Sequence, residues 1–174
     1  MVLPEGLSQA DAMRQALSKL VRRGLDEMEL DPGPIPVVVS GMASSTIGIE
    51  SLPYAECPFA LDGGDLVTRD SPADAVCGFH ILTVSGLCST TSTMRGEETL
   101  LVGLYRLHPA WFRESVRVVI PGTHSEHIPV ERGIALDIST HMTGELFDLL
   151  CRHSILAQSV SPGALAEDEA RAED

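Results

Sequence analysis

Three observations predict an α/β fold for this 174-residue chain. Short runs rich in β-branched residues, Pro36–Ser40, Phe79–Val84 and Val116–Ile120, read as strands. Around them, leucines recur at the three- and four-residue spacing of a helix face. A hydrophobic content of 44% supplies enough apolar side chain for one real core, or for pieces of two.

Ser8-Gln9-Ala10-Asp11 has the form of an N-cap box, and Met13, Ala16, Leu17, Leu20 and Val21 follow on one face. A helix is expected there, ending near Gly24. Asp31-Pro32-Gly33-Pro34 makes a turn or linker before the buried strand Pro36–Ser40. Residues 41–78, rich in Gly, Pro, Ser and Asp, are expected to be loops with little regular structure. After the strand Phe79–Val84, a helix from about Glu97 to Leu107 should turn Leu100, Leu101, Leu104 and Leu107 inward, and Pro109 stops it.

The strand Val116–Ile120 ends at Pro121-Gly122. Downstream, residues His127–Val130 and Ile134–Ile138 flank Glu131-Arg132-Gly133, which reads as a hairpin turn. Ile134, Leu136 and Ile138 alternate as a half-buried strand requires. Thr143 is the expected N-cap of a last helix carrying Leu146, Phe147, Leu149 and Leu150, with Glu145 well placed near its N-terminus.

A formal net charge of -13 argues against nucleic acid or an anionic membrane as a partner. Much of it is local: Glu167, Asp168, Glu169, Glu173 and Asp174 crowd an end expected to be solvated and disordered. No apolar run is long enough to span a membrane, and no targeting signal is apparent. Cys57, Cys77, Cys88 and Cys151 are scattered without a Cys-x-x-Cys pair, as reduced thiols of a cytoplasmic protein are.

Two segments carry the chemistry. Arg95-Gly96-Glu97-Glu98-Thr99 sets an arginine and two carboxylates at the start of a helix. Arginine binds planar anions through a bidentate fork, and a carboxylate can take a proton from a hydroxyl. The same acids could simply cap and solvate the first turn, and on successive positions both cannot face one substrate. Pro121-Gly122-Thr123-His124-Ser125 joins two strands, where backbone amides and hydroxyls can cradle a phosphate or merely form a tight turn. His124, His127 and His141 raise a metal-dependent hydrolase as a rival, but His-x-x-His in a turn is not the helical pair of a zinc protease, and no metal site is assigned. Walker, dinucleotide and nucleophile-elbow signatures are missing.

Taken in order, these pieces resemble the 2-dehydro-3-deoxygalactonokinase family, sugar-acid kinases of the actin-like ATPase superfamily. The resemblance rests on Pro36–Met42, Leu52-Pro53-Tyr54 with Cys57-Pro58, Met94–Thr99, Val119–Ser125, His141–Phe147 and His153–Leu156. It implies ribonuclease-H-like segments: 1–35 an N-terminal helix and linker, 36–113 the latter part of a first lobe, 114–160 the start of a second, 161–174 an acidic disordered tail. It further implies ATP and Mg2+ as cofactors and phosphorylation of a small sugar acid, 2-dehydro-3-deoxy-galactonate, at its terminal hydroxyl.

On this resemblance Glu97 is the base, with Glu98 second. Arg95 pairs with the substrate carboxylate or orients the transferring phosphoryl group. Gly122, Thr123, His124 and Ser125 form a phosphate-binding hairpin, and Arg95, Glu98, Thr143, Gly144 and Glu145 are the substrate-binding set. The chain departs from the family where Glu126-His127 replaces a Lys-Trp pair and where Ser92 stands for an acidic or amide residue. It also begins beyond the family's first phosphate hairpin and stops before its adenosine segment, which leaves a non-catalytic binding protein as the alternative and exposed sheet edges as a route to homo-oligomers.

Overall fold

The protein is described here over residues 8–30 and 36–159 of a computed structural model. The linker Asp31–Pro34 and the acidic stretch 161–174 lie outside these residues.

The Ser8 hydroxyl accepts from the Asp11 amide and donates to its carboxylate, so helix α1 (Gln9–Glu27) starts as its N-cap box predicts. It runs past Gly24, because Leu25 in its last turn is buried and holds that turn against the core. Leu17, Val21 and Leu25 pack with Phe79 and Ile81, while Ala16 and Leu20 face solvent. Strand β1 (Val37–Val39) is not buried as expected: it is an edge strand with Val38 turned outward.

Residues 41–78 hold more regular structure than their composition predicts. A 3-10 turn (Gly41–Ser44) is followed by β2 (Ala55–Glu56), β3 (Phe59–Ala60) and β4 (Thr68–Ser71). Each of these strands is four residues or fewer and is held by partners distant in sequence, which local propensity does not register. β5 (Ile81–Val84) pairs parallel with β1 and antiparallel with β4. β6 (Leu87–Cys88) pairs parallel with β2 and antiparallel with β7 (Thr93–Met94).

Helix α2 (Glu97–Leu107) has the expected bounds but another inner face. Leu101 is buried and Leu104 packs beneath it, but Leu100 and Leu107 lie in solvent, and the buried position one turn earlier is Glu98. The inner row is 98, 101, 102, 104 and 105, which leucine spacing matches only at 101 and 104. A 3-10 turn (Pro109–Phe112) leads into β8 (Ser115–Ile120).

β9 (Ser125–Glu131) is the spine of the main sheet. β8 runs antiparallel along one edge, and β10 (Ile134–Ala135) and β11 (Ser139–His141) share the other. The Arg132-Gly133 turn has positive φ at both residues, as a two-residue hairpin requires. β10 stops at Ala135, and it is Ala135 and Ile138 that are buried, not the alternating set of Ile134, Leu136 and Ile138. β10 also pairs with β3, which closes a core of Phe59, Leu61, Leu87, Leu101, Ile128 and Ile138.

Helix α3 (Thr143–His153) has Met142, not Thr143, at its N-cap, with no side-chain capping bond. The Thr143 hydroxyl instead donates to the His141 carbonyl at 3.3 Å. The apolar residues of α3 lie in solvent.

Candidate functional site

A cavity of about 570 Å³ opens where β7 gives way to α2, facing the turn between β8 and β9. Met94, Arg95 and Glu97 form one wall, Pro121, Gly122, Thr123 and His124 the opposite wall, and Tyr54, Thr46 and Glu126 close the sides. The two sequence-predicted segments therefore meet in space, although a helix and a strand separate them in the chain.

Glycine makes the first wall possible. Gly96 has φ +117, a backbone conformation that residues with a Cβ rarely adopt, and here it passes beside Gly41. Gly96 is the N-cap of α2, and the acids that follow fold back on it. Glu97 Oε2 accepts from the Arg95 amide at 3.0 Å, and Glu98 Oε2 from the Gly96 amide at 2.7 Å. The two carboxylates then part company. Glu97 keeps a face on the cavity, whereas Glu98 is 0% exposed and does not line it. Burial pushes the Glu98 carboxyl above its ordinary range, partly countered by the Gly96 amide, and its Oε1 has no hydrogen-bond partner. As a substrate contact Glu98 is not supported; it holds the loop from inside.

Arg95 is anchored rather than free. Nη1 donates to the Ser44 carbonyl at 2.5 Å and to its hydroxyl at 2.7 Å; Nε donates to the Tyr54 hydroxyl at 3.3 Å. The guanidinium lies over the Tyr54 ring, 4.1 Å from its centroid. Among the described residues no carboxylate forms a salt bridge with it, although Glu97 and Glu126 line the same cavity.

On the opposite wall Gly122, Thr123 and His124 line the cavity, but Ser125 is already the first residue of β9 and is buried. The expected substrate residues of α3 act one step back. A Cβ on Gly144 would lie 2.4 Å from the Gly122 carbonyl oxygen, so this glycine lets α3 abut the turn. The Glu145 amide donates to the Thr123 carbonyl at 3.0 Å, and its carboxylate lies 2.8 Å from His124 Nε2. Thr143, Gly144 and Glu145 do not line the cavity; Gly144 and Glu145 brace the turn that does.

Sequence reasoning noted Glu126 only as a departure from a family pattern. It is 4% exposed, lines the cavity, and accepts from the Thr140 hydroxyl at 2.8 Å. Burial pushes its carboxyl above the ordinary range; the Thr140 bond opposes this, and the negative charge of Glu97 adds to it. The signal available was strand parity: Glu126 and Thr140 are paired in the β9–β11 ladder. Tyr54 and Ser44 were missed as partners of Arg95, since nothing local joins them to it.

The histidines do not converge. His127 and His141 meet edge to face at 4.7 Å, while His124 turns to Glu145. Among the described residues no three His, Cys, Asp or Glu side chains are grouped to hold a metal ion, and no helix is long and apolar enough to cross a membrane.

Comparison with known proteins gives a consistent result. The profile of the 2-keto-3-deoxy-galactonokinase family matches residues 3–173. The 2-dehydro-3-deoxygalactonokinase of Escherichia coli (strain K12) is 34% identical over 132 residues, covering 73% of this chain and 41% of that protein. DgoK1 of Rhizobium meliloti (strain 1021), named a probable 2-dehydro-3-deoxygalactonokinase, is 34% identical over 134 residues, covering 75% and 42%. A crystal structure of a Sinorhizobium meliloti protein assigned to the same activity superposes with a TM-score of 0.67 at 30% identity, over 85% of this chain and 48% of that one. The chain thus spans less than half the length of the relatives it matches. With its two chemistry-bearing segments meeting in one cavity and the profile matching along almost its whole length, this chain belongs to the 2-keto-3-deoxy-galactonokinase family.

Proposed function

We propose that this chain provides the sugar-acid site and one phosphate-binding turn of a kinase that transfers the γ-phosphoryl group of ATP to a hydroxyl of 2-dehydro-3-deoxy-galactonate. The observation that carries this reading is the convergence of Glu97, Arg95 and the Gly122–His124 turn on one cavity. A carboxylate, a guanidinium engaged in no salt bridge and a turn of small residues are the groups needed for a hydroxylated anion and a transferring phosphate.

In this mechanism Arg95, held by Ser44 and Tyr54, meets the substrate carboxylate with the donors that the protein leaves free. Glu97 accepts the proton of the attacking hydroxyl, its position fixed by the Arg95 amide. The Gly122 and Thr123 amides and the Thr123 hydroxyl meet phosphate oxygens, and Glu145 orients His124 beside them. Glu126, which lines the cavity, would hold the Mg2+ of MgATP, and the bound nucleotide would supply the phosphoryl group and the metal neutralise charge.

The actin-like reading extends this to architecture. Residues 36–113 would belong to a first ribonuclease-H-like lobe and 114–160 to the start of a second, in a cytoplasmic enzyme. The likeness to the Sinorhizobium structure supports a shared fold over the matched part.

The test is ADP release from folded protein given MgATP, with and without 2-dehydro-3-deoxy-galactonate. Release that depends on the sugar acid is expected. A folded protein that neither releases ADP nor binds the sugar acid by calorimetry overturns the proposal.

A further inference from the structure

Arg95 is anchored by a stretch of chain with little polarity left to give a ligand. Its Nη1 donates to the carbonyl and hydroxyl of Ser44, in the 3-10 turn Gly41–Ser44. The Ser44 hydroxyl in turn donates to the Gly41 carbonyl at 3.0 Å. The Ser45 hydroxyl donates to the Met42 carbonyl at 2.7 Å and accepts from the Ile47 amide at 3.4 Å. The Ala43 carbonyl takes the Ile49 amide at 2.7 Å, and the Ile47 carbonyl takes Gln9 Nε2 of α1 at 2.8 Å. Gly48 lies so close to Ala43 that a Cβ has no room, so the loop is folded tightly on itself. Its hydrogen bonds are spent on its own backbone, on α1 and on Arg95.

What this loop turns to the cavity is mainly apolar. Met42 and Ile47 both line it, and each is 57% exposed, so neither is needed in the core. Met42 stands two residues before Ser44 and Ile47 three after it, on either side of the Arg95 anchor. Thr46 adds one hydroxyl to the lining. A ligand carboxylate held on Arg95 therefore has its next carbons beside Met42, Thr46 and Ile47.

In a 2-oxo-3-deoxy acid those carbons bear an oxo group, which only accepts, and a methylene, which needs no partner. The Thr46 hydroxyl can donate to the oxo oxygen, and the apolar side chains suit the methylene. A hydroxyl on carbon 3 would instead be pressed against Met42 and Ile47, losing water without gaining an acceptor.

We propose, resting on the kinase reading above, that Met42 and Ile47 are the residues that select a 3-deoxy acid over its 3-hydroxylated counterpart. Arg95 reads the charge of the substrate; these two side chains read the missing hydroxyl.

Calorimetric titration of the full chain tests this with two ligands, 2-dehydro-3-deoxy-galactonate and 2-dehydro-galactonate, which keeps the hydroxyl on carbon 3. A preference of roughly tenfold for the deoxy acid is expected, the low end of what an apolar wall imposes, because this wall is partly open to water. The double variant Met42→Gln with Ile47→Asn offers polar partners, and its preference should fall to about threefold or less. Arg95→Lys should weaken both acids alike and leave their ratio unchanged. Circular dichroism confirms that each variant is folded. Equal binding of the two acids by the parent chain, or a preference that the double variant retains, would overturn this inference and leave the kinase reading standing. Failure of the folded parent to bind either acid would remove both.

Discussion

Arg95 lies with its guanidinium carbon 4.1 Å from the centroid of the Tyr54 ring, while its Nε donates to the Tyr54 hydroxyl at 3.3 Å. The two residues are 41 positions apart. One aromatic side chain thus sets both the plane and the tilt of the positive group in the cavity. A lysine cannot reproduce either feature, because its charge is a point on a flexible stem.

Arg95→Lys is therefore expected to weaken sugar-acid binding by about tenfold to a hundredfold, the loss of a charge-assisted hydrogen bond. Tyr54→Phe keeps the ring and should cost less than about tenfold, since only one bond is removed. Calorimetric titration with 2-dehydro-3-deoxy-galactonate separates the two.

Glu97→Gln preserves the shape of the α2 N-cap, because an amide oxygen can still accept from the Arg95 amide. It removes the proton acceptor. Turnover should fall by roughly a hundredfold to ten-thousandfold with sugar-acid binding nearly unchanged. Steady-state kinetics and calorimetry on one preparation check this; full activity in the variant would remove Glu97 as the base.

Glu98 and Glu126 are both carboxyls held above their ordinary value of 4.5 by burial. A carboxyl raised in the folded state binds more protons folded than unfolded. Its favourable contribution is complete below the unfolded value and is lost as pH rises through the folded one. Denaturant melts should thus show stability declining from about pH 4.5 upward, through the range where these two groups ionise in the native state. In Glu126→Gln the decline should be shallower, and at pH 8 this variant should be at least as stable as the parent. An unchanged slope would contradict the assignment.

Two glycines make opposite predictions. Gly144→Ala drives a methyl into the Gly122 carbonyl and should cost about 1–3 kcal/mol. Gly103, inside α2, has open space where a methyl would stand, with no heavy atom within 4 Å, and Gly103→Ala should stabilise by about 0.5–1 kcal/mol. Thermal melts of the two variants provide the comparison.

Sequence pattern was most informative where structure is local. The Ser8 box, the bounds of α2, the stop at Pro109 and the Arg132-Gly133 turn each depend on neighbours a few residues away. It failed in residues 41–78, where β2, β3 and β4 exist only because strands elsewhere pair with them. It also misplaced the inner face of α2, because leucine spacing weighs hydrophobicity and does not see that Glu98 turns inward to hold Gly96.

The site shows the same division. The sequence picked out the residues that meet at the cavity, Arg95, Glu97 and the Gly122–His124 turn, because a glycine beside charged and hydroxyl groups stands out in the text and the family resemblance favoured that reading over a plain cap or turn. Only the tertiary structure decided how they are shared out: Glu97 to the cavity and Glu98 to the interior, Gly144 and Glu145 behind the turn, Glu126 onto the wall, and Tyr54 beneath Arg95. The reason is physical. Which way a side chain points depends on strand parity, helix phase and backbone contacts between segments far apart in the chain, and these are settled only when the segments pack.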